Sequence, residues 1–197
     1  MITKIAYLFI DFINDIVHAD GKVAGKGYAA FDREYGSLDR VAQLLAHARA
    51  QHDLVIHVRV GFSEGYPEHP EHSPLFGAAK KYSAFQLGMW GTEFHASVAP
   101  QPNDVIVTKN RVSPFYGTSL DLILRNNGVT HVVIAGCATD MAVQAAARDA
   151  HDRDYQVTVV ADCCVAASRD DHDDALRMIS KIAQVQNFSD ILKAKAA

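Results

Sequence analysis

Three residues with reactive side chains each follow a short apolar run. Asp11 comes directly after IAYLFI, Lys109 after DVIVT and Cys137 after HVVIAG. A carboxylic acid, an amine and a thiol are common groups of acid–base and nucleophilic catalysis. If the runs are neighbouring parallel strands, their carboxyl ends meet at one edge of a sheet, where ligands bind in such folds. The pattern therefore predicts a catalytic site at that edge.

Each of these residues also has a simpler interpretation. Asp11 can cap the turn FIND, Lys109 can lie in a solvent-facing loop, and Cys137 can act as a small buried apolar residue. The catalytic interpretation is favoured because all three residues fall on the same edge of the predicted sheet.

Strands and helices alternate along the chain. Five predicted strands are apolar, β-branched runs, at 5–10, 54–60, 104–108, 131–136 and 156–161. A sixth, short strand is predicted near Val185. Helical spacing of apolar residues lies between most of them, and helices are also predicted near 170–182 and 189–195. This alternation predicts a parallel sheet flanked by helices in one domain spanning residues 1–197.

Two segments interrupt the alternation. Residues 61–101 are rich in Gly, Pro, His and aromatic side chains, and we interpret them as pocket lining and a contact to another subunit. GKVAGKG, at 21–27, is similar to a phosphate loop, but its glycine spacing is one residue short and no strand leads directly into it. We interpret it as a flexible turn.

Composition narrows the function classes. The chain has 197 residues and a formal charge of −4, and it contains no run of basic residues for nucleic acid or an anionic membrane. The N-terminal segment lacks the features of a signal peptide, and no stretch has the length of a membrane span. The three cysteines form no CxxC pair and favour reduced thiols. We expect a cytoplasmic protein that binds a small molecule, without nucleic-acid or membrane partners.

Three blocks of the sequence resemble the isochorismatase-like hydrolases, a family that includes nicotinamidases and N-carbamoylsarcosine amidases. These blocks are LFIDFIND, KNRVSPFYGTSLDLILRNNGVTHVVIAG and CATDMAVQAAARDAHDRDYQVTVVADCCVAAS. The resemblance covers nearly the whole chain. It implies a three-layer α/β/α sandwich around a six-stranded, mainly parallel sheet, assembled as a homodimer or homotetramer.

The resemblance assigns roles to the reactive residues and also exposes a departure. Asp11 and Lys109 match the family's aspartate–lysine pair, whereas the position of the nucleophilic cysteine is occupied by Ala142. Cys137 instead lies beside the family's non-proline cis peptide, near Ala138 and Thr139, where backbone N–H groups are expected to face the pocket. A methyl group cannot attack a carbonyl, so the family's usual thioester route is not available at Ala142.

Isochorismatases of this family also lack the thiol, and they cleave a vinyl ether. The resemblance then implies that Asp11 is the general acid, Lys109 its electrostatic partner and water the attacking group. Two alternatives remain open. One is amide or ester hydrolysis by Cys137, the less favoured nucleophile, or by activated water, and the other is a catalytically silent small-molecule-binding protein.

The remaining site predictions concern substrate binding. Arg59 and Arg111 are candidates for binding a substrate carboxylate, although an ion pair with an acidic residue is an equally good interpretation of Arg59. Aromatic candidates for pocket walls are Phe12, Trp90, Phe115 and Tyr116. We expect no cofactor and no metal, because HVRVGFSEG replaces the D-x-H motif of nicotinamidases and His69 and His72 lie in a Pro-rich loop.

Overall fold

A six-stranded sheet forms the centre of the protein. The structure is a computed structural model that describes residues 4–194. The strands are β1 (Ile5–Ile10), β2 (Leu54–Val60), β3 (Val105–Lys109), β4 (His131–Cys137), β5 (Gln156–Val165) and β6 (Gln184–Gln186). Their order is β3-β2-β1-β4-β5-β6, and all neighbouring strands are parallel. The predicted sheet is confirmed, but β4 and β5 extend further than the apolar runs indicated.

Seven α-helices accompany the sheet within residues 4–194. They are α1 (Asn14–Val17), α2 (Tyr28–Tyr35), α3 (Ser37–Ala50), α4 (Leu120–Asn126), α5 (Gln144–His151), α6 (Arg169–Ile179) and α7 (Phe188–Ala194). Helix α2 was not predicted, and α6 ends earlier than expected. Position 195, the predicted end of the last helix, lies outside the described residues. None of the described helices has the length and apolar character that crossing a bilayer requires.

The side chains of β1 show how the layers form. Tyr7 and Phe9 pack into one hydrophobic cluster, which includes apolar residues of α3 and α7. Leu8 and Ile10 pack into a second cluster with residues of α4, α5 and α6. Because successive side chains of a strand point to opposite faces, a wholly apolar strand requires helices on both sides. The predicted three-layer α/β/α sandwich is confirmed.

The segment 61–101 is irregular apart from two 3₁₀ turns at Trp90–Thr92 and Ala96–Val98. Most of its aromatic side chains are nevertheless buried, among them Phe62, Phe76 and Phe85. Apolar burial of this kind stabilises a loop that has few backbone pairings of its own. The contact to another subunit stays a prediction.

The segment 21–27 corrects one expectation. It contains a 3₁₀ turn, Ala24–Lys26, and the Val23 N–H donates a hydrogen bond of 2.9 Å to the Asp15 carbonyl. Gly27 has φ 113°, and a Cβ atom there would lie 2.2 Å from the Ala167 carbonyl oxygen. The expected flexible turn is thus packed against two other segments, because glycine permits the left-handed conformation and the close approach.

Candidate active site

The carboxyl ends of β1 to β4 surround a cavity of about 60 Å³, which we call the inner cavity. Its lining contains all four residues to which the sequence assigned a catalytic position. The lining residues are Asp11, Ile16, Val23, Lys26, Tyr28, Val60, Leu75, Phe76, Phe85, Lys109, Val112, Cys137, Ala138, Met141 and Ala142. The parallel topology therefore brings together residues that are far apart in the sequence.

Asp11 and Lys109 form a buried ion pair. The Lys109 Nζ atom lies 2.7 Å from Asp11 Oδ2, and both side chains are at most 4% exposed. The other carboxylate oxygen, Oδ1, accepts a hydrogen bond of 2.7 Å from the Val60 N–H. Lys109 also donates to the Arg111 carbonyl at 3.1 Å. Residues on three neighbouring strand ends thus hold the Asp11 carboxyl group in one orientation.

The backbone of Asp11 leaves the sheet in an unusual conformation. Its φ of 60° lies in the left-handed region, which aspartate enters more readily than most non-glycine residues. The Asp11 N–H still donates to the Val58 carbonyl at 2.8 Å, so the residue stays attached to the strand edge. The chain turns away at the position where the carboxyl group reaches Lys109.

Opposing effects act on the acidity of Asp11. Burial raises the pKa of its carboxyl group, while the charge of Lys109 and the hydrogen bonds from Lys109 and Val60 act in the lowering direction. The net direction is a raised pKa, because removing a carboxylate from water outweighs the local stabilisation. A buried acid with a raised pKa can hold a proton under conditions in which an exposed aspartate has lost it.

Cys137 is the last residue of β4, and it follows Gly136, whose surroundings leave no room for a side chain. A Cβ atom at Gly136 would come within 2.9 Å of both Ile10 and Val143, so only glycine allows β1 and the turn after β4 to approach so closely. The peptide bond between Cys137 and Ala138 is cis. Burial, followed by the charge of Asp11, raises the pKa of the Cys137 thiol well above its ordinary value. The thiol is therefore kept in its neutral, weakly nucleophilic form.

Ala142 lies in a π-helical turn, Thr139–Val143, between β4 and α5. Its side chain is buried and lines the inner cavity together with Asp11 and Lys109. The structure thus places a methyl group where the family resemblance expects a thiol. Of the three cysteines, Cys137 is in this lining, while Cys163 and Cys164 are buried outside it.

Two residues with polar side chains in the lining were not selected from the sequence. Lys26 and Tyr28 come from the segment that the sequence presented as a simple turn and from the unpredicted start of α2. Burial, with smaller effects from Cys137 and Asp140, raises the pKa of Tyr28 to about 12. The hydroxyl group therefore keeps its proton and can donate a hydrogen bond to a ligand. The spacing of glycines around Lys26 was the available signal, but it carries no information about the contacts of the segment.

The two arginines predicted to bind a carboxylate lie outside the inner cavity lining. Arg59 Nε donates to Thr108 Oγ1 at 3.2 Å, and its guanidinium lies 5.9 Å from the ring centre of Phe94. Arg111 Nη1 donates to the carbonyls of Glu68 and Asn110, at 2.9 and 2.7 Å. Arg111 thus ties two loops together, and Arg59 packs between Thr108 on β3 and Phe94 of the long segment.

The aromatic candidates also lie elsewhere. Phe115 belongs to the hydrophobic cluster under α4 and α5, Phe12 to the cluster that includes α3, and both are buried. Trp90 is 46% exposed beside His18, and Tyr116 is 68% exposed. These four positions were chosen by residue type alone, and the cavity walls are instead Tyr28, with Phe76 and Phe85 of the long segment.

The predicted residues that follow the cis peptide differ in placement. Ala138 lines the inner cavity. Thr139 is fully buried, and its Oγ1 atom lies 3.1 Å from the Val165 carbonyl and 2.9 Å from His172 Nδ1. Thr139 therefore fastens this turn to β5 and α6 and does not appear in the lining. Within residues 4–194, no group of three or more His, Cys, Asp or Glu side chains is placed to hold a metal ion.

The sequence and the fold are similar to those of known proteins. Residues 6–194 match the sequence profile described as the isochorismatase domain. The isochorismatase family protein YecD of Escherichia coli O157:H7 is 30% identical, over 80% of this chain and 82% of its own length. Maleamate amidohydrolase of Pseudomonas putida is 29% identical, over 86% of this chain and 76% of its own. The crystal structure of an isochorismatase family protein from Desulfovibrio vulgaris shares the fold, with a TM-score of 0.88 and 23% identity over all of both chains.

Proposed function

The chain belongs to the isochorismatase domain family of hydrolases, and from this premise we propose that it cleaves a small carboxylate-bearing molecule by acid catalysis at Asp11. The observation that carries the proposal is Ala142, which lines the same cavity as the Asp11–Lys109 pair. A site with an acid and without a thiol at this position suits a reaction in which water attacks a carbon activated by protonation.

Vinyl-ether cleavage of an isochorismate-type substrate has these requirements. The Asp11 carboxyl group donates a proton to the methylene carbon of the enolpyruvyl ether, which produces an oxocarbenium ion and a carboxylate on Asp11. Water adds to the cationic carbon, and its released proton returns to Asp11. The hemiketal that results collapses to pyruvate and an alcohol. One water molecule is consumed, and no bond to the protein forms.

The electrostatics of the pair support this role. Burial raises the pKa of Asp11, which favours the protonated form that begins the reaction. Lys109, 2.7 Å away, then stabilises the carboxylate that forms when the proton is transferred. Burial thus favours the protonated form of Asp11, and the Lys109 ammonium stabilises its carboxylate. The same group can therefore donate the proton and accept it back.

A second candidate is hydrolysis of an amide or ester, with Cys137 or activated water as the attacking group. It is favoured by the position of Cys137 in the inner cavity and by the likeness to maleamate amidohydrolase. The raised pKa of the thiol argues against Cys137, because the thiolate is the reactive form.

The decisive experiment incubates the protein with isochorismate and follows pyruvate release through lactate dehydrogenase and NADH. We expect the native protein and Cys137→Ala to release pyruvate at similar rates. The Asp11→Asn variant should be slower by at least about 100-fold, the lower end of what a general acid contributes. Cys163→Ala serves as the matched control for removal of a buried thiol outside the cavity.

Each contrary result has a distinct meaning. No pyruvate from the native protein at high concentration contradicts vinyl-ether cleavage. Ammonia release from maleamate that is lost in Cys137→Ala establishes the thiol-dependent alternative. Binding of a carboxylate ligand without turnover of either substrate indicates the silent binding protein.

A further inference from the structure

A second cavity adjoins the inner cavity and shares part of its wall. This outer cavity has a volume of about 220 Å³, and its lining includes Lys22, Ala79 and Tyr82. Val23, Lys26, Leu75 and Phe85 line both cavities. Lys26 therefore stands at the boundary between a small catalytic chamber and a wider outer space, where a substrate group attached to the reacting bond must pass or remain.

The charges around this boundary do not cancel. Three residues with acidic or basic side chains line the inner cavity, and two of them, Asp11 and Lys109, are paired with each other. The third is Lys26, whose ammonium makes no hydrogen bond or ion pair with any described residue. The cavity thus carries at least one positive charge, that of Lys26, which no described carboxylate compensates and which attracts an anion.

The backbone that carries Lys26 is held in place from several directions. The Lys26 N–H donates to the Val23 carbonyl at 3.0 Å, and the Val23 N–H donates in turn to Asp15. At the end of the turn, Gly27 packs against the Ala167 carbonyl. The buried carboxylate of Asp15 accepts hydrogen bonds from the N–H groups of Lys22 and Phe85, and so joins this segment to Phe85, which lines both cavities.

We propose that Lys26 is the residue that binds the substrate's carboxylate and selects anionic substrates at the boundary of the two cavities. This inference rests on the proposed function only in taking the substrate to carry a carboxylate. It assigns to Lys26 the role that the sequence suggested for Arg59 and Arg111, both of which are engaged elsewhere. The bond to be cleaved then lies toward Asp11 and Ala142, and the rest of the molecule extends toward Tyr82.

The test measures binding of two matched pairs of probes by calorimetry: benzoate against benzamide, and pyruvate against pyruvamide. Each pair has nearly the same shape and differs in charge. We expect the acid of at least one pair to bind about 10-fold more tightly than its amide, which corresponds to about 1.4 kcal/mol. The preference should disappear in Lys26→Met and return in Lys26→Arg. Because Lys26 is exposed, added salt should also reduce the preference for the acid over the amide.

The matched control is Lys193→Met, which removes an exposed ammonium on α7, outside both linings, and should leave the preference unchanged. The proposal is overturned if neither acid binds at millimolar concentration, if acids and amides bind equally, or if the preference survives in Lys26→Met. Binding does not require turnover. A protein that prefers acids through Lys26 yet releases no pyruvate from isochorismate would contradict the vinyl-ether reaction alone.

Discussion

At the residue scale, the Asp11–Lys109 pair links stability to chemistry. Both side chains are almost completely buried, and their charged atoms lie 2.7 Å apart. A buried ion pair adds little to stability compared with two apolar residues, but loss of one partner leaves a charge without compensation. The acid that we propose for catalysis is therefore also a structural partner, and a single substitution at either position is expected to change both properties.

We predict that Asp11→Asn and Lys109→Met each lower the free energy of unfolding by about 3 kcal/mol. In the double variant, the free energy of unfolding should fall by clearly less than the sum of the two single losses, because no buried charge remains at this site. Urea unfolding at neutral pH measures the three values. The exposed pair Arg169–Asp173 provides the control, and Asp173→Asn should have little effect because solvent screens that pair. Additive losses at Asp11 and Lys109 would contradict the coupling.

At the element scale, short segments outside the sheet determine the shape of the cavity. The segment 21–27 carries Lys26, and the long segment 61–101 contributes Leu75, Phe76 and Phe85. Neither has extensive backbone pairing, so their positions depend on a few close contacts. Gly27 makes one of these contacts, since an added Cβ atom would lie 2.2 Å from the Ala167 carbonyl oxygen, whereas at Gly25, two residues earlier, an added Cβ atom would have no neighbour within 4 Å.

This difference predicts that one of two glycine substitutions in the same turn destabilises the protein and that the other has little effect on its stability. Gly27→Ala should lower the free energy of unfolding by about 1–3 kcal/mol and weaken binding of the acidic probes, because its φ is 113° and its Cβ would meet the Ala167 carbonyl. Gly25→Ala is the matched control for stability and should leave the free energy of unfolding close to that of the native protein. Thermal unfolding and calorimetry distinguish the two. Equal effects would show that the turn is not held at Gly27.

At the scale of the whole molecule, buried histidines make stability depend on pH. His57 on β2 is 1% exposed, stacks on Phe9, and lies 3.2 Å from the Asp104 carboxylate. Burial lowers the pKa of His57 to about 4, despite the raising effect of Asp104. Burial also lowers the pKa values of His95, His131 and His172. At these four histidines, the folded protein thus binds fewer protons than the unfolded chain in mildly acidic solution.

The sign of the pH effect follows from these lowered pKa values. The stability that the neutral histidines contribute is fully present above the unfolded histidine pKa of about 6.5, and this contribution is lost as the pH falls toward 4. Asp11 acts in the opposite sense, since a raised pKa removes stability as the pH rises through its folded value. The pKa values of all four histidines are lowered, so each of them reduces stability as the pH falls from 7 to 5.

We predict that His57 alone accounts for a loss of about 2 kcal/mol in the free energy of unfolding between pH 7 and pH 5. Urea unfolding at the two pH values should show a smaller loss in His57→Gln than in the native protein. His151→Gln removes an exposed histidine and should leave the difference unchanged. The same pH dependence in all three proteins would contradict a role for His57.

Much of the sheet and the centre of the site could be read from local pattern. Apolar runs such as IAYLFI form strands wherever helices cover both faces, and parallel strands place their carboxyl ends at one edge. That geometry is why Asp11, Lys109 and Cys137 could be grouped without a structure. The family resemblance added Ala142, which occupies the position where the resemblance implies a nucleophilic cysteine.

The walls of the cavity were decided only by the tertiary structure. Trp90, Phe115 and Tyr116 were chosen as aromatic residues, but a ring lines a cavity only where the path of its loop takes it there. Lys26 lines the site because Asp15 and Ala167, which are distant in sequence from each other, fix the turn that carries it. The sequence by itself determined the strands and the reactive edge, since both follow from short-range periodicity. The cavity depends on long-range contacts between irregular segments, which no local pattern records.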